Sequence, residues 1–223
     1  LQIYVDFSGY VDMALGISNI LSIELPINFN KPYLSKSLTE FWRSWHITLS
    51  KWFRDYLYIP LGGSRDGEKK LFFNLLLTMS VAGLWHGANF NFILWGFLNG
   101  LLLFIEKKIN FFLRIHVSIK ILVNCFVIFN LWLVFRFQDF NLLYKYLIIF
   151  YSNLHYLFLK ENLIILVISV IAVLSQKYDN YYYVKNYVPQ INVRYIFPII
   201  FLIIVLGLSF SSGTSDKFIY FDF

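Results

Sequence analysis

The 223 residues are 58% hydrophobic, 21% aromatic and 14% charged, with a formal net charge of +6. Soluble domains carry about 25% charged residues, so this composition, with its long uncharged runs, excludes a soluble enzyme and describes an integral membrane protein. No basic soluble module is present, which excludes nucleic acid as a partner, and the lone Cys125 excludes an internal disulfide, a CxxC motif and zinc-type spacing.

Leu1 to Ile23 is apolar except for Gln2, Asp6, Asp12 and small polar residues. No basic stretch precedes a short apolar segment and a small-residue cleavage site, so no signal peptide is expected. The chain reads as the later part of something longer. Two carboxylates are unusual in a lipid-facing helix. Either Asp6 and Asp12 sit at an interface or cap the helix that follows, or they face a polar cavity.

Glu24 to Lys70 is the polar part of the first half. Pro26 and Pro32 disfavour helix before Leu34. Ser37 with Glu40 is a capping box that starts a helix predicted to run to about Tyr58, where Pro60 and Gly62-Gly63 stop it. Leu38, Phe41, Trp42, Trp45, Leu49, Trp52, Phe53 and Tyr56 form one apolar stripe at helical spacing. Arg43, Ser50, Lys51 and Arg54 lie on the other side. Aromatic bulk facing a basic polar side describes an amphipathic helix lying in the membrane interface. His46 falls on the shoulder of the stripe, where a histidine is usually packed and hydrogen-bonded. Leu61-Gly62-Gly63-Ser64-Arg65 matches no nucleotide motif, and its glycines read as a helix stop.

Leu71 to Ile105 is uncharged. One straight helix of that length would measure about 50 Å, against a hydrocarbon core of about 30 Å. Two segments meeting at a break are therefore expected, with the break at Gly83-Leu84-Trp85-His86-Gly87-Ala88-Asn89. That places the His86 imidazole at or near membrane depth, where ionisable groups are costly and are candidates for chemistry.

Shorter apolar runs follow at 121–135, 162–176 and 195–215, separated by polar, aromatic and tyrosine-rich stretches. His116 and His155 sit in interfacial stretches and receive no role. If each run crosses once and the central run twice, 15 of the 19 Lys and Arg fall in 24–70, 106–120 and 177–194. That bias predicts a cytoplasmic side for those loops.

Five strings in sequence order carry a resemblance: Asp6-Phe7-Ser8-Gly9-Tyr10, Asn28-Phe29-Asn30-Lys31-Pro32-Tyr33, Phe41-Trp42-Arg43-Ser44-Trp45-His46, Arg54-Asp55-Tyr56-Leu57-Tyr58-Ile59-Pro60-Leu61-Gly62-Gly63, and Gly83 to Asn89. Together they resemble the membrane-bound O-acyltransferase family, most nearly its bacterial, alginate O-acetyltransferase-like branch. The closing Phe218-Ile219-Tyr220-Phe221 again resembles that branch's tail.

The resemblance implies an all-α, polytopic membrane helical bundle with an interfacial amphipathic helix. Residues 1–223 would form one membrane-embedded domain, the C-terminal half of an enzyme in the cell inner (cytoplasmic) membrane. It implies a catalytic role for His86, with His46 as the second recurrent histidine, and neither a bound cofactor nor a metal. Acyl groups would come from acetyl-CoA or another thioester, such as an acyl carrier, and pass to a polysaccharide outside. A separate extracytoplasmic acetyl-transfer protein would complete the transfer.

The chemistry suits those residues. A hydroxyl attacking a thioester needs a general base, and histidine is the natural one. Asn89 or the Trp85 N–H is placed by proximity to hold an oxyanion or orient the ring. Arg43, Lys51, Arg54 and Arg65 suit a diphosphate or phosphopantetheine, or anionic headgroups. Two alternatives stay open: a proton-coupled transporter or channel with Asp6, Asp12 and His86 along its path, and an inactive remnant of a longer protein.

Overall fold

A computed structural model describes residues 2–109, 116–153, 160–177 and 193–210. His155 and the Phe218 to Phe221 string lie outside the described residues. The regular elements among those described are all helical, with no strand: α1 (Gln2–Ile20), a 3-10 turn (Pro32–Leu34), α2 (Leu38–Ser44), α3 (Ile47–Phe53), α4 (Glu68–Trp85), α5 (Phe90–Lys108), α6 (Val117–Arg136), α7 (Phe140–Ser152), α8 (Lys160–Ser175) and α9 (Val193–Phe210). Among these, α5 and α6 are long and apolar enough to cross a membrane.

The uncharged run divides as its length requires. α4 ends at Trp85 and α5 begins at Phe90, and the two pack as an antiparallel hairpin in which backbone meets backbone. A Cβ built on Gly83 would fall on the Phe92 carbonyl oxygen, and one on Gly96 on that of Met79. One on Gly100 would come within 2.7 Å of the Leu75 carbonyl oxygen. Only glycine permits such an approach. The open end of the hairpin is tied by an ion pair between Glu68 and Lys108.

The core beside this hairpin is aromatic. Phe41 and Trp45 come from α2 and its end, Phe92 and Trp95 from α5, and Phe135 from α6; all are buried. Trp95 stacks on Trp132 at 5.9 Å and Phe41 on Trp45 at 5.5 Å between ring centroids. Each such ring buries about 150–250 Å². Amides tie the elements together where rings cannot. Asn91 Nδ2 donates to the Phe135 carbonyl at 3.1 Å, and Asn124 Nδ2 to that of Ser35 at 3.0 Å. Gln176, just past α8, accepts from the Tyr33 N–H at 3.1 Å. The Glu106 carboxylate near the end of α5 accepts from the N–H groups of Leu38 and Thr39, at 2.5 and 3.2 Å. That contact anchors the start of α2.

The helix start predicted from Ser37 and Glu40 forms: Ser37 Oγ accepts from the Glu40 N–H at 3.1 Å, while the Glu40 carboxylate accepts from the N–H of Lys36, one residue before the N-cap, at 2.7 Å. The single helix to Tyr58 does not. Trp45 is extended (φ −106°, ψ 129°) and His46 is left-handed (φ 41°, ψ 56°), so α2 and α3 are separate helices. A further π turn spans Arg54–Tyr58. The break drives the Trp45 ring into the core, 4.9 Å from that of Trp132, and turns His46 the other way. It also dissolves the predicted stripe, leaving Trp52 53% and Tyr56 70% exposed.

Candidate active site

The site grows from two breaks in helix. At the first, the turn between α4 and α5, His86 closes α4 with its N–H directed to the Gly83 and Leu84 carbonyls. Gly87 then takes φ 153°, and a Cβ there would meet the Phe92 ring at 2.9 Å, so the reversal needs glycine. Asn89 starts α5, its Oδ1 accepting from the Asn91 N–H at 3.4 Å. The His86 ring is held edge-on by Phe135 at 5.1 Å and Trp95 at 5.6 Å.

At the second break, His46 holds a left-handed backbone that costs a non-glycine residue about 1–3 kcal/mol unless its surroundings enforce it. Its ring meets Phe7 of α1 edge-on at 4.8 Å and Trp85 at 6.1 Å. His46 lies outside the helices long enough to span a membrane, and burial pushes its imidazole down to about 4.

Both histidines line one cavity of about 240 Å³ between α2–α3 and the α4–α5 hairpin. The Trp85 ring stands beside both, 6.1 Å from that of His46 and 5.0 Å from that of His86 between centroids. The walls are largely apolar, from Leu49, Leu75, Met79, Ala82, Trp95 and Leu103. Arg43, Arg54 and Lys107 line the cavity as well. Lys107 lies twelve residues beyond Trp95 on α5, about 18 Å along the helix axis. The cavity is thus a slot with the His86 imidazole toward one end and a cation toward the other.

The cations are differently held. Arg54 donates through Nε and Nη2 to the Asp55 carboxylate at 2.7 and 3.2 Å. That bond keeps the Asp55 carboxyl below the usual carboxylate range. Lys107 Nζ donates to the Tyr58 hydroxyl at 3.4 Å.

Among the residues picked out from sequence, the fold brings His86, His46, Arg43 and Arg54 to this slot. It leaves Arg65 exposed in the loop before α4 and outside the lining. Asp6 is half-buried on α1 and Asp12 exposed, and neither lines the slot; α1 reaches His46 through Phe7 instead. Trp85 is 57% exposed, its ring beside both histidines. Lys107, Tyr58 and Thr78 are lining residues that sequence reasoning missed. For Lys107 a signal existed: it stands just past the end of the uncharged run, and an antiparallel hairpin must return it toward Tyr58. Among the described residues no group of three His, Cys, Asp or Glu is placed to hold a metal ion.

Residues 1–146 match the sequence profile of the membrane-bound O-acyltransferase family. The chain belongs to that family. Both helix breaks and every lining residue of the slot fall within the matched stretch. Among relatives, the chain is 44% identical over 146 residues to the probable alginate O-acetylase AlgI of Pseudomonas aeruginosa, covering 65% of this chain and 28% of the relative. It is 44% identical over 140 residues to the peptidoglycan O-acetyltransferase of Helicobacter pylori, covering 60% and 27%. The teichoic acid D-alanyltransferase of Bacillus subtilis is 35% identical over 121 residues, covering 48% and 30%. The chain thus matches less than a third of the length of each of these relatives.

Proposed function

We propose that this chain is the C-terminal part of a membrane-bound O-acyltransferase. Its substrate would be an acetyl group carried by a cytoplasmic thioester, acetyl-CoA or an acyl carrier, and its end acceptor a cell-surface polysaccharide. The observation that supports this best is the slot, with two histidines on one apolar cavity and Arg43, Arg54 and Lys107 lining it as well. A cation spaced from the reacting group, as Lys107 is, suits a donor whose phosphate lies well away from its thioester carbonyl. The relatives' names, with alginate, peptidoglycan and teichoic acid among them, support a polymer acceptor.

In this mechanism His86 takes the proton from the acceptor hydroxyl as its oxygen attacks the thioester carbonyl carbon. The carbon–oxygen bond forms, the carbon–sulfur bond breaks, and the proton passes from His86 to the departing thiolate. The apolar walls keep water from competing for the acyl group. His46 lies next to this centre and shapes it from the α2–α3 side. The full protein would be a polytopic bundle in the cytoplasmic membrane, with α2 and α3 at its interface, handing acetyl groups to an extracytoplasmic partner protein.

The test is His86→Ala in the native gene, with base-released acetate measured on the isolated surface polysaccharide. Loss of acetate with unchanged membrane insertion is expected. Retained acetylation would sink the proposal.

A further inference from the structure

The left-handed conformation of His46 needs something to hold it, and the holding comes from far upstream. Three consecutive residues, Asn28 to Asn30, lie across the α2–α3 break. On one side the Asn30 N–H donates to the Ser44 carbonyl at 3.0 Å. On the other the Ile47 N–H donates to the Asn28 carbonyl at 3.0 Å. Between them the Phe29 ring stands edge-on to Trp45 at 5.1 Å and to Phe7 at 5.0 Å. Phe7 in turn packs on the His46 imidazole.

The Asn28 side chain does more than close the strap. Its Oδ1 accepts from the Thr48 N–H at 3.3 Å and from the Thr48 hydroxyl at 2.7 Å. The Thr48 N–H is one of the donors left open at the start of α3, and the residue at the helix N-cap ordinarily satisfies such a donor with its own side chain. Here that residue is His46, and it makes no such bond. The same chain shows what an N-cap histidine does when nothing replaces it. At the start of α6, His116 Nδ1 accepts from the N–H of Ser118, two residues on. Thr48 stands at the same spacing from His46, whose backbone is left-handed (φ 41°, ψ 56°) where that of His116 has φ −57°, ψ 142°.

We infer that Asn28 is a positioning residue for His46: it caps α3 in the histidine's place, so that the imidazole faces the acyl-transfer slot instead of its own helix. Without the Asn28 carboxamide the Thr48 N–H is left open at the start of α3 and competes for the His46 imidazole, which is drawn from its seat against Phe7 and from the slot. The activity arm of the test rests on the acyl-transfer proposal. The labelling arm does not.

The test uses the native gene and compares Asn28→Ala with Asn28→Asp, which keeps an acceptor oxygen. Acetylation per membrane-inserted protein is expected to fall roughly 10- to 100-fold in Asn28→Ala, the scale on which displacing a group that shapes the reacting centre lowers a rate, and to stay near wild type in Asn28→Asp. In parallel, diethyl pyrocarbonate labelling of membranes is read by mass spectrometry at each histidine. Labelling of His46 is expected to rise several-fold in Asn28→Ala, with His86 unchanged and exposed His116 as the internal reference. Equal rises at His46 and His86 would mean general loosening and would overturn the inference. So would unchanged His46 labelling, or an Asn28→Asp variant as poor as Asn28→Ala. Should Asn28→Ala fail to accumulate in the membrane, Asn28→Leu carries the same labelling test, because it fills similar space, removes the acceptor for the Thr48 N–H and leaves the backbone bonds of the strap in place. If His86→Ala keeps its acetylation, the acyl-transfer proposal falls, and the labelling arm still decides the role of Asn28.

Discussion

Trp42 and Asn99 are joined beside the slot: the indole Nε1–H donates to Asn99 Oδ1 at 3.1 Å, and Asn99 Nδ2 donates on to the Trp95 carbonyl at 2.8 Å. This chain links α2 to α5, and Asn99 is only 1% exposed. Leucine at position 99 would fill similar space and leave the Trp42 N–H without its acceptor. Stranding a buried donor costs about 1–3 kcal/mol. Asn99→Leu is therefore expected to lower the melting temperature of the purified protein in detergent, and an unchanged melting temperature would show that the link carries no stability.

The hairpin sets a sharper limit. At Gly96 a methyl group would occupy the Met79 carbonyl, which is backbone and cannot rotate away. Gly96→Ala must push α4 and α5 apart, with a cost at or above the 1–3 kcal/mol usual for overpacking. Gly9 and Gly16 of α1 have open space where a Cβ would stand, and alanine there gains about 1 kcal/mol of helix propensity. Membrane abundance is expected to collapse for Gly96→Ala and to hold for Gly9→Ala. Equal abundance of the two would contradict the close backbone contact.

Asn89 separates two roles that one residue can fill. Its Oδ1 is engaged at the start of α5, a cap worth about 1 kcal/mol when replaced by alanine. Aspartate keeps the capping oxygen and loses the amide donor. If the side chain serves as a cap, Asn89→Asp keeps acetylation within a few-fold of wild type while Asn89→Ala loses stability. An amide that held the oxyanion would instead make Asn89→Asp fall by about 10²–10³. The cap is the expected outcome, read from acetate release and melting temperature on the same preparations.

The contrast between the two helix breaks shows where sequence is informative. The break at Gly83 to Asn89 was legible because its causes are local: an uncharged run too long for one span, glycines, and an imidazole in an apolar stretch. The break at Trp45-His46 was not, because no glycine or proline marks it. Its hydrogen bonds come from Asn28 and Asn30, and its packing from Phe7 and Trp132. Helical periodicity ran straight through it and set Arg43 and Arg54 on a polar face away from the apolar stripe. The break joins them instead to the histidines on the slot. Membership of the slot among cations depends on tertiary register, which no count of charges along one helix contains.

The cations give the last test. Arg43, Arg54 and Lys107 line the slot, and Arg65 does not, although all four are basic side chains in the polar stretches flanking the uncharged run. If the lining cations hold the donor's phosphate, removing one charge-assisted contact weakens donor binding by about 1.5–3 kcal/mol, roughly 10- to 150-fold. Arg43, Arg54 and Lys107 are all exposed, so solvent and salt reduce this toward the lower figure at each of them. Arg54 already shares its guanidinium with Asp55, so Arg54→Ala leaves the Asp55 carboxylate uncompensated nearby and is expected to raise the donor KM most. Lys107→Ala should raise it while leaving kcat near wild type, because the lysine stands about 18 Å along α5 from Trp95 and the reacting end. Arg65→Ala should change neither. Steady-state rates with a varied thioester donor, at low and at physiological salt, decide the matter. A donor KM that rises equally for Arg65→Ala and Lys107→Ala would mean that these charges act through the general field of the membrane surface and not through the slot.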